Sequence, residues 1–179
     1  MQTNSQILRR IRCALLLFIA GLVISGVTAF PLRFELDQVV ALRKIEHATP
    51  ADLGNGFDRW ILTVREGLRH SYADYPWLAY GTDWLAFGHI AIAIFFSGAL
   101  IDPPRNIWVL RAGLIACALV IPLALICGQI RQIPFGWRLI DCSFGIFGAI
   151  PLLYCLKLTK ALESGNALLD ERESSNLKS

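Results

Sequence analysis

Residues 138–156 form a run that is uncharged except at its mouth, where Arg138 and Asp141 stand. A charge at the centre of a bilayer costs roughly 2.5 to 3.5 kcal/mol on insertion scales, and less near an interface. The guanidinium and the carboxylate must therefore find partners or water, which makes Asp141 the most informative residue in the chain. A run this apolar can cross hydrocarbon only as a helix, because its backbone groups have no water to bond.

Composition carries the same reading to the whole chain. Of 179 residues 55% are hydrophobic and 17% charged, and the mean hydropathy is +0.51. Soluble domains run at about 45 to 50% and 25%. The chain is thus expected to be an all-α, polytopic membrane protein with four transmembrane helices and an α-helical extracytoplasmic loop between the first and second. The formal charge of +3 is small, and the basic residues lie in short clusters beside apolar runs. That is not the footprint of a nucleic-acid binder.

The spans are expected at about 13–30, 84–101, 107–127 and 138–156, in one domain over residues 1–160, with a polar cytoplasmic tail over 161–179. Cys13 to Phe30 is 18 residues without a charge, about the minimum for a ~30 Å hydrocarbon core. Arg9, Arg10 and Arg12 precede it and place the N-terminus in the cytoplasm. The same flank could belong to a cleaved signal with a site near Val27-Thr28-Ala29, but 18 apolar residues exceed the ~7 to 15 of a usual signal core. Asp102-Pro103-Pro104-Arg105-Asn106 joins spans two and three in a hairpin. Arg105, Arg111, Lys157 and Lys160 then fall at cytoplasmic span ends, and an even number of spans puts both termini inside a cell inner membrane.

Residues 33–83 hold six Lys or Arg and eight Asp or Glu and should lie outside the bilayer core. Within them Phe57, Trp60, Ile61, Val64 and Leu68 recur at helical spacing, which predicts an amphipathic helix. A shorter helix is expected over 34–46, ended by Thr49-Pro50 and the Gly54-Asn55-Gly56 turn. Tyr72, Tyr75, Trp77, Tyr80 and Trp84 crowd the approach to span two, with Trp137 at the same level beside the last span. They read as an interfacial belt in preference to an aromatic ligand cage.

His89 is the second informative residue. At ~1.5 Å per residue, His89 and Asp141 lie at similar depths, roughly one to two turns in from the outer side. His89, Ala93 and Ser97 form one stripe and Asp141, Gly145 and Gly148 another. Small residues mark close helix contacts in bilayers, so both stripes are expected to point inward. The candidate site is a polar pocket of His89 and Asp141 open to the outer leaflet, with Arg138 and Asp83 at its rim. Its two readings are helix glue and a proton-transfer or headgroup-binding pair. None of the five cysteines has CxxC spacing, so no metal or cofactor is expected. Buried thiols are the ordinary reading, with a Cys127–Cys142 disulfide as the alternative.

At these residues the chain resembles the VanZ-like family of small bacterial membrane proteins. That family has a first span, an outer loop and three further helices. An Asp precedes a His at the start of a middle helix, and an Arg, Asp, Asn, Gly pattern opens the last. Arg138, Asp141 and Gly148 match the second pattern, and Asp83 with His89 is similar to the first. Asp83 and His89 are six apart where the family has about four, and Gly145 stands where the family has Asn. The similarity covers mainly the latter half. It implies a cell-envelope role without an enzyme class, with membrane lipid, another membrane protein or a lipid-linked envelope precursor as partner. The alternatives are an enzyme or transporter handling a lipid-linked substrate, and a haem or quinone protein. Haem with two histidine ligands would need His47 or His70 of the loop beside His89.

Overall fold

The computed structural model describes residues 3–176, with side chains described as far as residue 165. Among these residues all regular structure is helical. Helix α1 is Asn4–Ala29, α2 is Leu32–Arg43, α3 is Gly56–Asp74 and α4 is Tyr80–Ile101. Helix α5 is Ile107–Ile130, and α6 is Phe135–Asn176. Four stretches are long and apolar enough to cross a membrane: α1, Pro76–Ile101, α5, and Phe135–Gly165 of α6.

The helices outrun the expected spans. Helix α1 starts well before residue 13 and carries Arg9, Arg10 and Arg12 in its first turns, since Arg is a good helix former and nothing there breaks the helix. Helix α6 continues from the span through most of the expected tail, and Leu162 is still buried. Helix α5 ends irregularly. Pro122 has no N–H to donate, the next residues Leu123–Cys127 form a π turn, and one regular turn follows.

The chain divides into two compact units. One comprises Met1–Gly21 and Ala93–Ser179, the other Leu22–Ile92. In the first, α5 and α6 form an antiparallel hairpin. Helix α6 buries Cys142, Gly145, Leu152, Cys155, Thr159 and Leu162, a near-heptad stripe suited to close helix packing. The packing is tightest at glycines. A Cβ on Gly113 would lie 2.6 Å from Phe96 and 2.9 Å from Leu152, and one on Gly148 would lie 3.1 Å from the Cys117 sulfur. At Gly145 it would strike the backbone carbonyl oxygen of Cys117.

Helix α1 enters this core with Ile11 and Leu15, both fully buried. The Cys155 thiol donates to the Ile11 carbonyl at 3.6 Å. Arg12 Nε–H donates to the Leu100 carbonyl at 3.3 Å, so a cation meets the carbonyl end of α4. The α4–α5 connection is held by Asn106, whose amide donates to the carbonyls of Gly98 at 3.0 Å and Asp102 at 2.9 Å.

The second unit contains a different hairpin. Helix α2 ends at Lys44, whose φ of 56° is left-handed, with Ile45 N–H returning to the Val40 carbonyl. Asn55 caps α3 by accepting from Phe57 N–H at 2.9 Å. Ion pairs tie α2 to α3 at two levels. Arg43 holds Asp58 through two bonds of 2.9 Å, and Arg65 reaches Asp37 at 2.6 Å. Val40, Ile61 and Leu62 are buried. The amphipathic helix and the shorter one before it are therefore both present, packed on each other.

Arg43 holds the Asp58 carboxyl below the usual carboxylate range, first by hydrogen bonding, against the opposing effect of desolvation. A carboxyl lowered in the folded chain stabilises the fold above its unfolded pKa, and that contribution fades as pH falls through the folded one. The hairpin should hold at neutral pH and loosen below about pH 4. Amide-exchange protection of α3 between pH 6 and 3 measures this. Asp58→Asn should lower protection at neutral pH and flatten its acid dependence.

Candidate functional site

Pro134 directly precedes helix α6, and its carbonyl accepts the N–H groups of Trp137 at 3.0 Å and Arg138 at 3.2 Å. Just before it, Gln132 takes a left-handed φ of 59° and Ile133 N–H closes onto the Gly128 carbonyl at 2.9 Å. That helix-ending turn reverses the chain so that α6 runs back along α5. Arg138 then lies over Gly128, where a Cβ would come within 2.7 Å of the arginine Cγ and Cδ. One guanidinium N–H points to the Leu125 carbonyl at 3.5 Å, a long contact, and the guanidinium carbon sits 5.3 Å from the centre of the Phe135 ring. Arg138 is thus committed to the carbonyl end of α5, where a cation is favoured. Its buried Nε has no hydrogen-bond partner among the described residues.

Asp141, one turn further on, is exposed, whereas its neighbours Cys142 and Gly145 are buried. No described residue of its own unit pairs with it. Arg138 and Asp141 share the mouth of α6 as expected, and Arg138 turns to α5.

Asp83 lies in the first turn of α4, where the helix dipole favours an acid. It lines a cavity with Phe30, Phe34 and Tyr72. His89 is half-buried, and its Nδ1 lies 2.8 Å from the carbonyl of Leu85. A carbonyl only accepts, so Nδ1 carries the hydrogen and a neutral imidazole keeps Nε2 as a free acceptor. The backbone side of His89 packs on α1, with a Cβ on Gly26 meeting the His89 Cβ at 3.0 Å. Asp83 and His89 therefore belong to one unit and Arg138 and Asp141 to the other.

The small-residue stripes pack in part as expected. On α6 the partner of Gly145 and Gly148 is α5, at Cys117, with Phe18 of α1 also beside Gly148. On α4 Ala93 is buried, but Ser97 is exposed and returns its hydroxyl to the Ile94 carbonyl at 2.6 Å. All five cysteines are free, and Cys13 and Cys127 are exposed, which differs from the expectation of uniformly buried thiols. Among the described residues no three His, Cys, Asp or Glu converge in a way that could hold a metal ion. Tyr75, Trp77, Tyr80 and Trp84 are exposed, with edge-on contacts between Tyr75 and Trp77 and between Tyr80 and Trp84, in keeping with amphipathic rings at a membrane surface.

A cluster that the sequence did not single out lies between α2 and α3. Arg33, Leu36, Asp37, Arg65 and Arg69 line one cleft. Its only sequence signal is the four-residue spacing of Arg33 with Asp37 and of Arg65 with Arg69, which is common on solvated helices. No family model matches the chain, and neither a curated protein nor a solved structure matches it.

The contact of Gly145 with the Cys117 backbone sets a steric test. Adding one methyl there must push α6 off α5, because the obstacle is backbone and cannot rotate away. Gly145→Ala should lower stability by about 1 to 3 kcal/mol, as overpacking does. Gly136→Ala, in open space at the start of the same helix, should change it little. Thermal unfolding of the two variants in the same detergent separates them.

Proposed function

We propose that the protein is a multi-pass inner-membrane protein of the bacterial cell envelope, related to the VanZ-like proteins, that works by binding. In this reading Asp141 holds a polar group at outer-leaflet depth, with a lipid headgroup or a second membrane protein as its partner. One observation carries it: Asp141 is exposed among the exposed apolar residues Ile140 and Phe144 of α6, and no described residue of its own unit pairs with it. A carboxylate so placed gains from any donor that reaches it, and intramembrane ionisable groups are functional candidates by default.

Both termini are cytoplasmic in this proposal and the α2–α3 hairpin is outside. Support comes from the Arg12 contact with Leu100, which sets the Arg9–Arg12 cluster at the same level as the Arg105 connection. Basic residues gathered at one level mark the cytoplasmic side. The VanZ-like relation rests on the order of Asp83, His89, Arg138, Asp141 and Gly148. Its departure at Gly145 has a physical reason here, because the Cys117 carbonyl fills the space an Asn would take. The second reading, an enzyme or transporter for a lipid-linked substrate, is favoured by the His89 tautomer, which leaves Nε2 able to take a proton.

Two measurements check the proposal. A single cysteine at Asn55, in a chain lacking the native thiols, should label from outside in intact cells; labelling only after the membrane is opened would reverse the orientation. Asp141→Asn should insert and fold normally yet lose the protein's contribution to envelope stress resistance, and His89→Ala should share that loss. An active Asp141→Asn variant rules out a role for the charge.

A further inference from the structure

The cleft between α2 and α3 is built unlike an ordinary solvated surface. Arg65 is only 21% exposed at its side chain and is fixed from two sides, by Asp37 at 2.6 Å and Glu66 at 3.0 Å. Arg33 and Arg69 flank it, and neither has an acidic partner among the described residues. Three guanidiniums thus face one lining carboxylate, and counting Glu66 still leaves an excess of positive charge. Guanidinium forks match phosphate oxygens in geometry and bind them through charge-assisted hydrogen bonds.

A second cavity adjoins this cleft and shares Arg33 and Asp37 with it, but its other walls include Phe30, Leu32, Phe34 and Tyr72. Phe30 directly follows the apolar helix α1, and Phe34 is 63% exposed. A cationic cleft therefore opens beside an apolar one at the end of a candidate span. A free anion would use only the first. A phospholipid would use both, with its phosphate on the arginines and its glycerol and upper acyl carbons along the aromatic wall. Asp83, on the second cavity, would accept from a headgroup hydroxyl.

We propose that the α2–α3 cleft binds the phosphate of an anionic phospholipid, contacted by Arg33 and Arg69 and positioned by the Asp37-anchored Arg65. This proposal does not rest on a role for Asp141 or His89.

The test is native mass spectrometry of the full chain released from detergent, titrated with phosphatidylglycerol and, separately, with phosphatidylcholine. The wild type should retain phosphatidylglycerol in preference to phosphatidylcholine. The Arg33→Gln, Arg69→Gln double variant should lose at least about tenfold in phosphatidylglycerol affinity, since two charge-assisted contacts go. Both arginines are exposed, and the Arg33→Lys, Arg69→Lys variant keeps the charge and should bind between the two. Millimolar inorganic phosphate should not displace the lipid. Equal retention of the two lipids, an unaffected glutamine variant, or displacement by inorganic phosphate would each overturn the proposal, the last by showing a free-anion site.

Discussion

The first unit depends on how closely α6 can approach the Cys117 carbonyl of α5. In lipid there is little hydrophobic gain from pairing two apolar helices, so association rests on dispersion and on how near the backbones come. Gly145 supplies that nearness, and Gly148 and Gly113 extend it along the hairpin. The contacts keep one register: Arg138 over Leu125, Cys142 beside Ile121, Gly145 on Cys117 and Leu152 at Gly113. Once Gly145 is seated the other pairs follow from helix geometry. The seat also determines where Asp141 points, one turn before it on the same helix.

The second unit is stabilised differently. Its hairpin takes its registry from Arg43 with Asp58 and Asp37 with Arg65 instead of from glycine contacts. Exposed ion pairs contribute little individually. The Arg43 and Asp58 pair is better placed, because Asp58 is buried, accepts two bonds from one guanidinium and receives a third, at 3.4 Å, from Asn55. Asn55 thus both caps α3 and supports the pair that joins the helices.

Much of this was legible in the sequence, and what was not has identifiable causes. The four spans follow from run length and charge, and α3 from the period of Phe57 to Leu68, because both signals are local. Helices α1 and α6 run beyond the expected spans because hydropathy marks where a helix meets hydrocarbon, whereas helix ends are set by caps and breakers. The Gly145 and Gly148 stripe announced a close contact but not its partner, since glycine spacing is the same whichever helix lies against it. The Arg43–Asp58 pair and the arginine cleft were not visible because each joins residues on separate helices, and no local pattern encodes such a pairing. The place of Arg138 over Gly128 is not legible either, because the open space at a glycine depends on which helix lies beside it.

The different fates of Arg138 and Asp141 reflect an asymmetry in the helical backbone. Each carbonyl has two lone pairs and uses one in the helix, so a spare acceptor is on offer to a cation near a span end. Arg12 finds the Leu100 carbonyl at the end of α4, and Arg138 points at 3.5 Å to the Leu125 carbonyl, which already accepts from the Gly128 N–H. Every N–H has a single hydrogen, and beyond the first turn of a helix all of them are taken. An anion a turn and a half into α6 therefore has no backbone donor within the helices around it. Its donor must be a side chain, a water or a lipid headgroup. A cation in a span can thus be a purely structural feature of this chain, whereas the helical backbone offers the carboxylate of Asp141 no donor.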